Sequence, residues 1–309
     1  MLNFKEITLQ DKPWIDELLS YPNYNATEYN FTVLFIWQKI YQTKVCRYKD
    51  YLLIRSYPES FGENTYHYIF PAGKGSEADL QEAINLCIKD AQELGHKINF
   101  SSVLQSQKDF LEHLYPDRFI FQPIRDSYDY IYSAQDLVFL KGKKFQSKRN
   151  FISRFKREEG WKYEEITASN LGECAVMNDK WCAKYGCGMD LSKNQEYCSV
   201  RCALENFVEL KLSGGILRLN GEVVAFTIGE KMNSDTFLVH IEKAFADVVG
   251  AYPTIANEYL RHAILNEQTQ ELSVEFVNRE DDAGNLGLRE AKMQYHPLFL
   301  LEKFSVCEK

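Results

Sequence analysis

The sequence predicts an α+β protein built from two similar halves. Its 309 residues are enough for two ordinary domains, and an apolar fraction of 45% is enough to fill two cores. Aromatic residues make up 14% of the chain, which indicates a globular protein rather than a disordered one. Both halves show the same order of elements, β-α-β-β-β-α-β-α-β, with little sequence identity between them. We interpret this order as an internal duplication of topology.

The first half opens, within residues 4–19, with a short alternating strand, a polar cap region and an apolar-periodic helix. Apolar alternation and helical spacing predict the elements that follow. Strands are expected at residues 44–57, 65–73 and 98–103, helices at residues 78–95 and 106–115, and one long β segment at residues 118–133.

The second half repeats this opening at residues 163–181. Asn220-Gly221 then lies between two alternating runs, which is the strongest short signal for a β-hairpin. A helix with Pro253 in its first turn is expected after the next strand. The remaining elements are strands at residues 236–244 and 271–278, a helix at residues 285–295 and a closing strand at residues 297–306.

These patterns divide the chain into an N-terminal domain at residues 1–140, a connecting helix at residues 141–160 and a C-terminal domain at residues 161–309. The connecting helix is strongly basic. Residues 141–157 carry eight basic side chains and no acid, so this segment is +8 and the rest of the chain is −16 within a net charge of −8. Phe145, Ile152 and Phe155 are expected to pack inward while the basic side chains face outward.

Such a basic segment in an acidic protein predicts local attraction of a polyanion. An ordinary solvated helix face is the alternative interpretation. RNA phosphates and an anionic membrane surface are both candidate partners. The residues that we expect to contact the polyanion are Lys144, Lys148, Arg149 and Arg154.

Residues 1–19 lack the basic-then-apolar pattern of a secretory signal, and no apolar run is long enough to span a membrane. We therefore expect a cytoplasmic protein with reduced cysteines. Four cysteines are clustered, but their spacing contains no CxxC pair, so no metal site is predicted. They are Cys182, Cys187, Cys198 and Cys202.

Four motifs in the second half carry a resemblance to a known family: GGILRLNGEVVAFTIG, HIEKA, GAYPTIANEYL and NREDDAGNLGLREAKMQYHP. They resemble an uncharacterised bacterial family related to the C-terminal domain of phosphatidylglycerol lysyltransferase. The resemblance covers residues 141–305, and the N-terminal half is similar by topology alone. It implies two tandem domains of the acyl-CoA N-acyltransferase (GNAT) fold, related to the Fem-type peptidyltransferases, each with a mixed, mostly antiparallel sheet flanked by helices.

The resemblance also implies transfer of an acyl or aminoacyl group to an amine or hydroxyl of a lipid, peptide or small molecule, with aminoacyl-tRNA as the candidate donor. The C-terminal half would hold the site, and the N-terminal half would be a degenerate copy. Two alternatives are a CoA-dependent N-acetyltransferase and a non-catalytic module that binds RNA or anionic lipid.

The strand at residues 236–244 supplies the first candidate site residues. His240 and Glu242 share one face of the strand, and Lys243 lies on the other. Glu242 is a candidate general base, and Lys243 a candidate cation for a phosphate or a developing oxyanion. A structural hydrogen bond between His240 and Glu242 is the alternative.

A second group lies where the strand at residues 271–278 meets the next helix. Acidic side chains there are candidates for binding the ammonium group of a substrate, although they would equally stabilise the helix N-terminus. Tyr295 is a candidate acid for the leaving group, by its position in the fold, or else a core tyrosine. The candidate substrate-binding residues are His240, Asn278, Arg279, Glu280, Asp281, Asp282, Arg289 and Lys292.

The loop before the Pro253 helix is where acetyl-CoA-using relatives hold a pyrophosphate on backbone N–H groups. Gly250, Ala251 and Tyr252 are the candidate cofactor-binding residues. Only Gly250 matches the pattern of those relatives, and Asp247 would repel a pyrophosphate. Aminoacyl-tRNA is therefore favoured over acetyl-CoA, and a plain strand-to-helix turn is the alternative for this loop.

Overall fold

A computed structural model describes residues 2–58, 64–186 and 190–309. They form two compact units. Unit 1 consists of Met1–Asp129, Asp281–Arg289 and Leu300–Lys309, and unit 2 of Tyr130–Glu280 and Glu290–Phe299.

The strands in the described part of the chain are, in order, β1 (Lys5–Glu6), β2 (Lys44–Tyr48), β3 (Tyr51–Ser56), β4 (His67–Gly73), β5 (Asn99–Val103), β6 (Phe119–Pro123), β7 (Asp129–Ser133), β8 (Trp161–Glu165), β9 (Ser213–Leu219), β10 (Glu222–Lys231), β11 (Thr236–Ala244), β12 (Phe276–Asn278), β13 (Phe299–Leu301) and β14 (Phe304–Glu308). The α-helices are α1 (Lys12–Ser20), α2 (Phe31–Tyr41), α3 (Glu77–Glu93), α4 (Gln105–Leu114), α5 (Ala134–Phe139), α6 (Gln146–Phe155), α7 (Leu171–Tyr185), α8 (Leu191–Glu205), α9 (Ala251–Ile264) and α10 (Leu286–Met293).

The sheet of unit 1 has the order β1-β2-β3-β4-β5-β14-β6. Its pairs are antiparallel except β4 with β5, which run parallel. Leu53, Phe100 and Val306 are fully buried between the strands and helix α3, together with Ile84 and Cys87 of that helix. The apolar alternation of the strands therefore meets one amphipathic helix stripe, as expected for a half-buried sheet.

The sheet of unit 2 has the order β13-β7-β12-β11-β10-β9-β8. Here β11 and β12 form the parallel pair, and the neighbouring pairs on both sides are antiparallel. The two sheets thus match strand for strand, with β14 of the first in the position of β7 of the second. The predicted α+β fold of two duplicated mixed sheets is confirmed in this topology.

The domain ranges differ from the continuous ones expected from the sequence. The β segment predicted at residues 118–133 is two strands, β6 and β7, which pair in different sheets, and the closing strand predicted at residues 297–306 divides in the same way into β13 and β14. Pro123 ends β6, because proline has no N–H for the next ladder bond. Lys303 lies between β13 and β14, outside both strands. Its buried ammonium group forms ion pairs with Asp129 and Glu28 of unit 1.

The predicted hairpin is present as β9 and β10. Asn220 and Gly221 at its turn have φ angles of 52° and 87°. Positive φ at both central residues matches the two-residue turn whose twist suits antiparallel strands, and asparagine and glycine tolerate it best.

The basic connecting segment belongs to unit 2 and contains a short 3-10 turn, Lys143–Phe145, followed by α6. Phe145, Ile152 and Phe155 are buried, as predicted. The expectation that every cysteine is reduced is wrong at Cys182, which takes part in a disulfide bond. Cys187 lies outside the described residues, and Cys198 and Cys202 are reduced. No helix in the described ranges is long and apolar enough to cross a membrane.

Candidate functional site

The two parallel strands of unit 2 separate after a short region of pairing. β12 pairs with β11 over three residues and ends at Asn278, whereas β11 continues to Ala244. Beyond Leu238 of β11 and Asn278 of β12, the two chain segments are no longer paired and a gap opens between them. Glu242 of β11 and Arg279, directly after β12, meet in this gap.

Glu242 and Arg279 form a largely buried ion pair. Arg279 Nη2 donates to Glu242 Oε1 over 2.8 Å, and the Arg279 and Glu242 side chains are 12% and 15% exposed respectively. The guanidinium carbon lies 4.6 Å from the centroid of the Tyr295 ring and 5.6 Å from that of Tyr132. Arg279 Nη1 is buried and has no hydrogen-bond partner among the described residues. Within the described part of the chain, the site thus contains one cationic donor without an acceptor.

Tyr295 lies two residues beyond α10 and is buried. Burial raises the pKa of its phenol well above the usual value, although Arg279 acts in the opposite direction. The hydroxyl therefore keeps its proton at physiological pH and can act as a hydrogen-bond or proton donor.

A small cavity lies among these residues. Its polar lining includes Glu242, Arg279 and Tyr295, and its apolar lining includes Leu137, Leu140, Val239 and Leu260. Its free volume is about 10 Å³, which is roughly the space that one water molecule needs. Apolar walls lower the local dielectric constant, so charge–charge interactions inside the cavity are stronger than in water.

Lys148 of α6 lies against the same tyrosine. Its Nζ is 4.2 Å from the centroid of the Tyr295 ring and donates to Gln294 Oε1 over 3.2 Å. Burial lowers the pKa of Lys148, and the charge of Arg279 lowers it further, whereas Glu242 raises it. Lys148 was predicted only as a polyanion contact. Its helical spacing showed no link to the site, because that link depends on how α6 packs.

The other predicted basic contacts have different surroundings. Lys144 Nζ forms an ion pair with Asp136 at 2.7 Å. Arg149 donates to the backbone oxygens of Leu140 and Gly142. Arg154 is exposed on α6.

His240 lies in a separate buried cluster. Its two ring nitrogens are 3.1 Å from Glu230 and 3.2 Å from Glu280. Burial alone would lower the pKa of His240, but the hydrogen bonds to the two carboxylates raise it to about 9. The interpretation of a His240–Glu242 pair is therefore wrong, since each bonds a different partner.

Lys243 lies on the opposite face of β11, as its position in the strand requires. Its Nζ is 2.9 Å from Glu196 of α8 and 3.7 Å from the centroid of the Trp181 ring. Burial lowers its pKa, and Glu196 partly offsets this effect. The fold does not bring Lys243 together with Glu242 and Tyr295.

The polar residues after β12 are largely paired within the protein. Asn278 is buried and its Oδ1 accepts the N–H of Glu280 over 2.7 Å. Lys292 Nζ donates to the backbone oxygen of Arg279 over 2.6 Å. Glu280 is the partner of His240 described above. These three residues shape the strand end that carries Arg279.

Asp281, Asp282 and Arg289 belong to unit 1. Asp282 is fully buried and accepts two hydrogen bonds from Arg289, at 2.9 and 2.7 Å, and one from Arg125 at 3.2 Å. Asp281 accepts the N–H of Ala283. This turn therefore uses its acids to hold its own backbone and neighbouring arginines.

The loop at Gly250 is explained by packing. Gly250 has a φ of 87°, and a Cβ there would lie 2.4 Å from the carbonyl oxygen of Phe151 in α6. Ala251 is fully buried, and burial raises the pKa of Tyr252. Close contact between α6 and the start of α9 accounts for the glycine without a ligand.

Two mixed sheets of matching order, with polar residues between the separating strands of one of them, define a tandem protein of the GNAT fold. The sequence model of one family, described as "Phosphatidylglycerol lysyltransferase, C-terminal", matches residues 22–307. The chain belongs to this family, as its motifs indicated. A search of curated protein sequences found no match.

Solved structures agree with this assignment. A conserved protein of unknown function from Bacteroides thetaiotaomicron is 35% identical, with a TM-score of 0.90 and complete coverage of both chains. L-PGS from Bacillus licheniformis has a TM-score of 0.67 at 14% identity, covering 99% of this chain and 93% of that one. FemX has a TM-score of 0.57 at 9% identity, covering 98% and 97%. The last two show similarity of fold alone.

Proposed function

We propose that this protein is an acyl- or aminoacyltransferase whose reaction takes place at Glu242, Arg279 and Tyr295. The observation that carries the proposal is that these residues come from three separate segments of unit 2 and line one cavity. The family's name supports the same class of reaction, because it describes transfer of an aminoacyl group to a lipid.

In this reaction the acceptor amine or hydroxyl attacks the carbonyl carbon of the donor ester. Glu242, which Arg279 holds in position, takes the proton that the nucleophile releases. A bond forms between the nucleophile and the carbonyl carbon, and the ester C–O bond breaks. Tyr295 donates its proton to the leaving oxygen, since burial keeps its hydroxyl protonated.

We infer that the donor is an aminoacyl-tRNA in the cytoplasm and that the acceptor is a lipid, with a peptide or small amine as the other choices. The basic side chains on and beside α6 would attract tRNA phosphates or anionic headgroups. Acetyl-CoA is a poorer donor candidate. The carbonyl oxygen of Phe151 fills the space beside Gly250. Asp247, which forms an ion pair with Lys184, also places a carboxylate beside that loop.

The test is transfer of radiolabel from a mixture of charged tRNAs to phosphatidylglycerol vesicles and to a total lipid extract. Glu242→Gln and Tyr295→Phe should each lower the rate about a hundredfold or more, because each removes a proton-transfer group. Glu164→Gln is the control for the first, since Glu164 is also paired with an arginine, Arg218. Tyr163→Phe is the control for the second, since its hydroxyl is also buried.

Full activity in both Glu242→Gln and Tyr295→Phe would remove these residues from the mechanism. Labelling from acetyl-CoA but from no charged tRNA would favour the acetyltransferase alternative. Binding of tRNA or vesicles without any transfer would favour the non-catalytic module.

A further inference from the structure

Arg279 Nη1 takes no part in the proton transfers proposed for Glu242 and Tyr295. Nη2 holds Glu242, while Nη1 is buried without a partner in the described residues, although the side chain lines a cavity. A buried charged donor without an acceptor is unfavourable, so this nitrogen has a strong preference for any oxygen that enters. Because Arg279 lines the cavity, an oxygen that enters it would lie close to the guanidinium group.

The charges around the cavity favour an anion. Arg279 and Lys148 both lie against the Tyr295 ring, and Glu242 neutralises only one of them. Lys148 forms no ion pair with any residue in the described ranges. Arg279 is largely shielded from bulk water and Lys148 is half-buried, so an oxygen that gains negative charge beside Arg279 would be stabilised more than in solution.

The size of the cavity limits the group that enters it. Free volume for about one water molecule fits a single oxygen atom better than a tetrahedral phosphate. The ligand chemistry that fits is a carbonyl or carboxylate oxygen.

We propose that Arg279 is a catalytic residue that binds the carbonyl oxygen of the transferred acyl group and stabilises the oxyanion formed from it. This assignment rests on the proposed function. On attack by the nucleophile, the π electrons of the C=O bond move to the oxygen, which accepts a hydrogen bond from Nη1. When the tetrahedral intermediate collapses, the C=O bond forms again and the donor oxygen leaves with the proton from Tyr295. Arg279 thereby takes the role expected of Lys243. The positive charge of Lys148 stabilises the oxyanion further, without a direct hydrogen bond to it.

Formate is the probe that tests this subsite without a known substrate, because it is a single-carbon carboxylate. The wild-type protein is titrated with sodium formate against sodium chloride of equal ionic strength, by calorimetry and by the rise in Tm that ligand binding causes. Arg279→Lys should weaken formate binding about tenfold to a hundredfold, as loss of a hydrogen bond to a charged group does. Arg218→Lys is the matched control, since Arg218 also forms ion pairs with carboxylates but lies outside the cavity.

Two further variants should change formate affinity in opposite directions, so a general loss of folding could not explain both results. Lys148→Met breaks no ion pair and should weaken formate binding by removing a positive charge. Glu242→Gln keeps an oxygen for Arg279 Nη2 but removes a negative charge, so formate should bind more tightly than to the wild type. A merely structural ion pair would not produce this increase.

No formate-specific effect on the wild-type protein would overturn the proposal. So would equal formate affinity in the wild type and in folded Arg279→Lys, which would indicate an adventitious anion only. The outcome is separable from that of the proposed function. Arg279-dependent formate binding together with full transfer activity in Glu242→Gln and Tyr295→Phe would retain the subsite and reject the mechanism.

Discussion

The buried cluster of His240, Glu230 and Glu280 should make the stability of the protein depend on pH. Carboxylates accept hydrogen bonds, so an imidazole bonded to one at each nitrogen must carry both protons. The folded protein therefore holds His240 as a cation, with a pKa of about 9 against an ordinary value of 6.5. We expect stability to be lost when this proton is removed.

The magnitude follows from the difference between these two values. About two and a half pKa units, at 1.36 kcal/mol for each, correspond to about 3 kcal/mol. The His240 side chain is only 1% exposed, so solvent screening reduces this figure little. Because the folded pKa is the higher one, the contribution is complete below pH 6.5 and is lost as the pH rises through 9.

The assay compares the wild type with His240→Gln by urea unfolding across this pH range. The difference in free energy of unfolding between the two proteins should narrow by about 3 kcal/mol from below pH 6.5 to above pH 9. NMR titration of the imidazole signals gives the pKa directly, and the variant identifies the signal of His240 among the six histidines. Glu230→Gln should lower that pKa, since it removes one carboxylate partner.

Two results would refute this reasoning. One is a His240 signal that titrates at or below 6.5 in the folded protein, because the carboxylates would then not hold the proton. The other is a free-energy difference between the wild type and His240→Gln that stays constant across the range.

The remaining predictions concern buried charge and backbone space, both measured by chemical unfolding. Lys303→Met should destabilise the protein by about 3–5 kcal/mol, because it removes the cation that neutralises the fully buried carboxylate of Asp129. Lys309→Met, at an exposed ion pair, should change the stability by less than about 0.5 kcal/mol, and equal effects would contradict the role of burial. Gly250→Ala should lose about 2 kcal/mol or more, from positive φ and from the 2.4 Å approach to the Phe151 oxygen. Gly95→Ala, with positive φ and open space, should lose about 1 kcal/mol, and an equal loss in both would exclude the close approach.

The site shows where reasoning from the sequence succeeds. The motif around Glu242 and the strand end at Arg279 were both singled out, and the fold brings them together with Tyr295. Alternation along β11 also placed Lys243 on the opposite face. The catalytic role predicted for Lys243 depends on residue type alone. Residue type does not reveal that Lys243 forms an ion pair with Glu196.

Two helices had no clear pattern in the sequence. α2 is apolar over most of its length, FTVLFIWQKIY, so it lacks the single apolar stripe that distinguishes a surface helix. α8 has a weak contrast between its faces and contains two polar residues that are buried, Gln195 and Ser199. In both cases tertiary packing, rather than periodicity, explains the helix.

The amino-acid sequence by itself determined the elements whose causes are local. The positive φ angles of the Asn220-Gly221 turn, the apolar stripe of the connecting helix and the alternation of β11 all depend on residues a few positions apart. Only the tertiary structure decided that β7 pairs in a different sheet from β6, which precedes it in the sequence, and that β14 pairs in a different sheet from β13. It also decided which partner each buried charge has. Those choices depend on contacts such as Lys303 with Asp129 and Glu242 with Arg279, and a buried charge takes whatever partner the packed fold brings within reach.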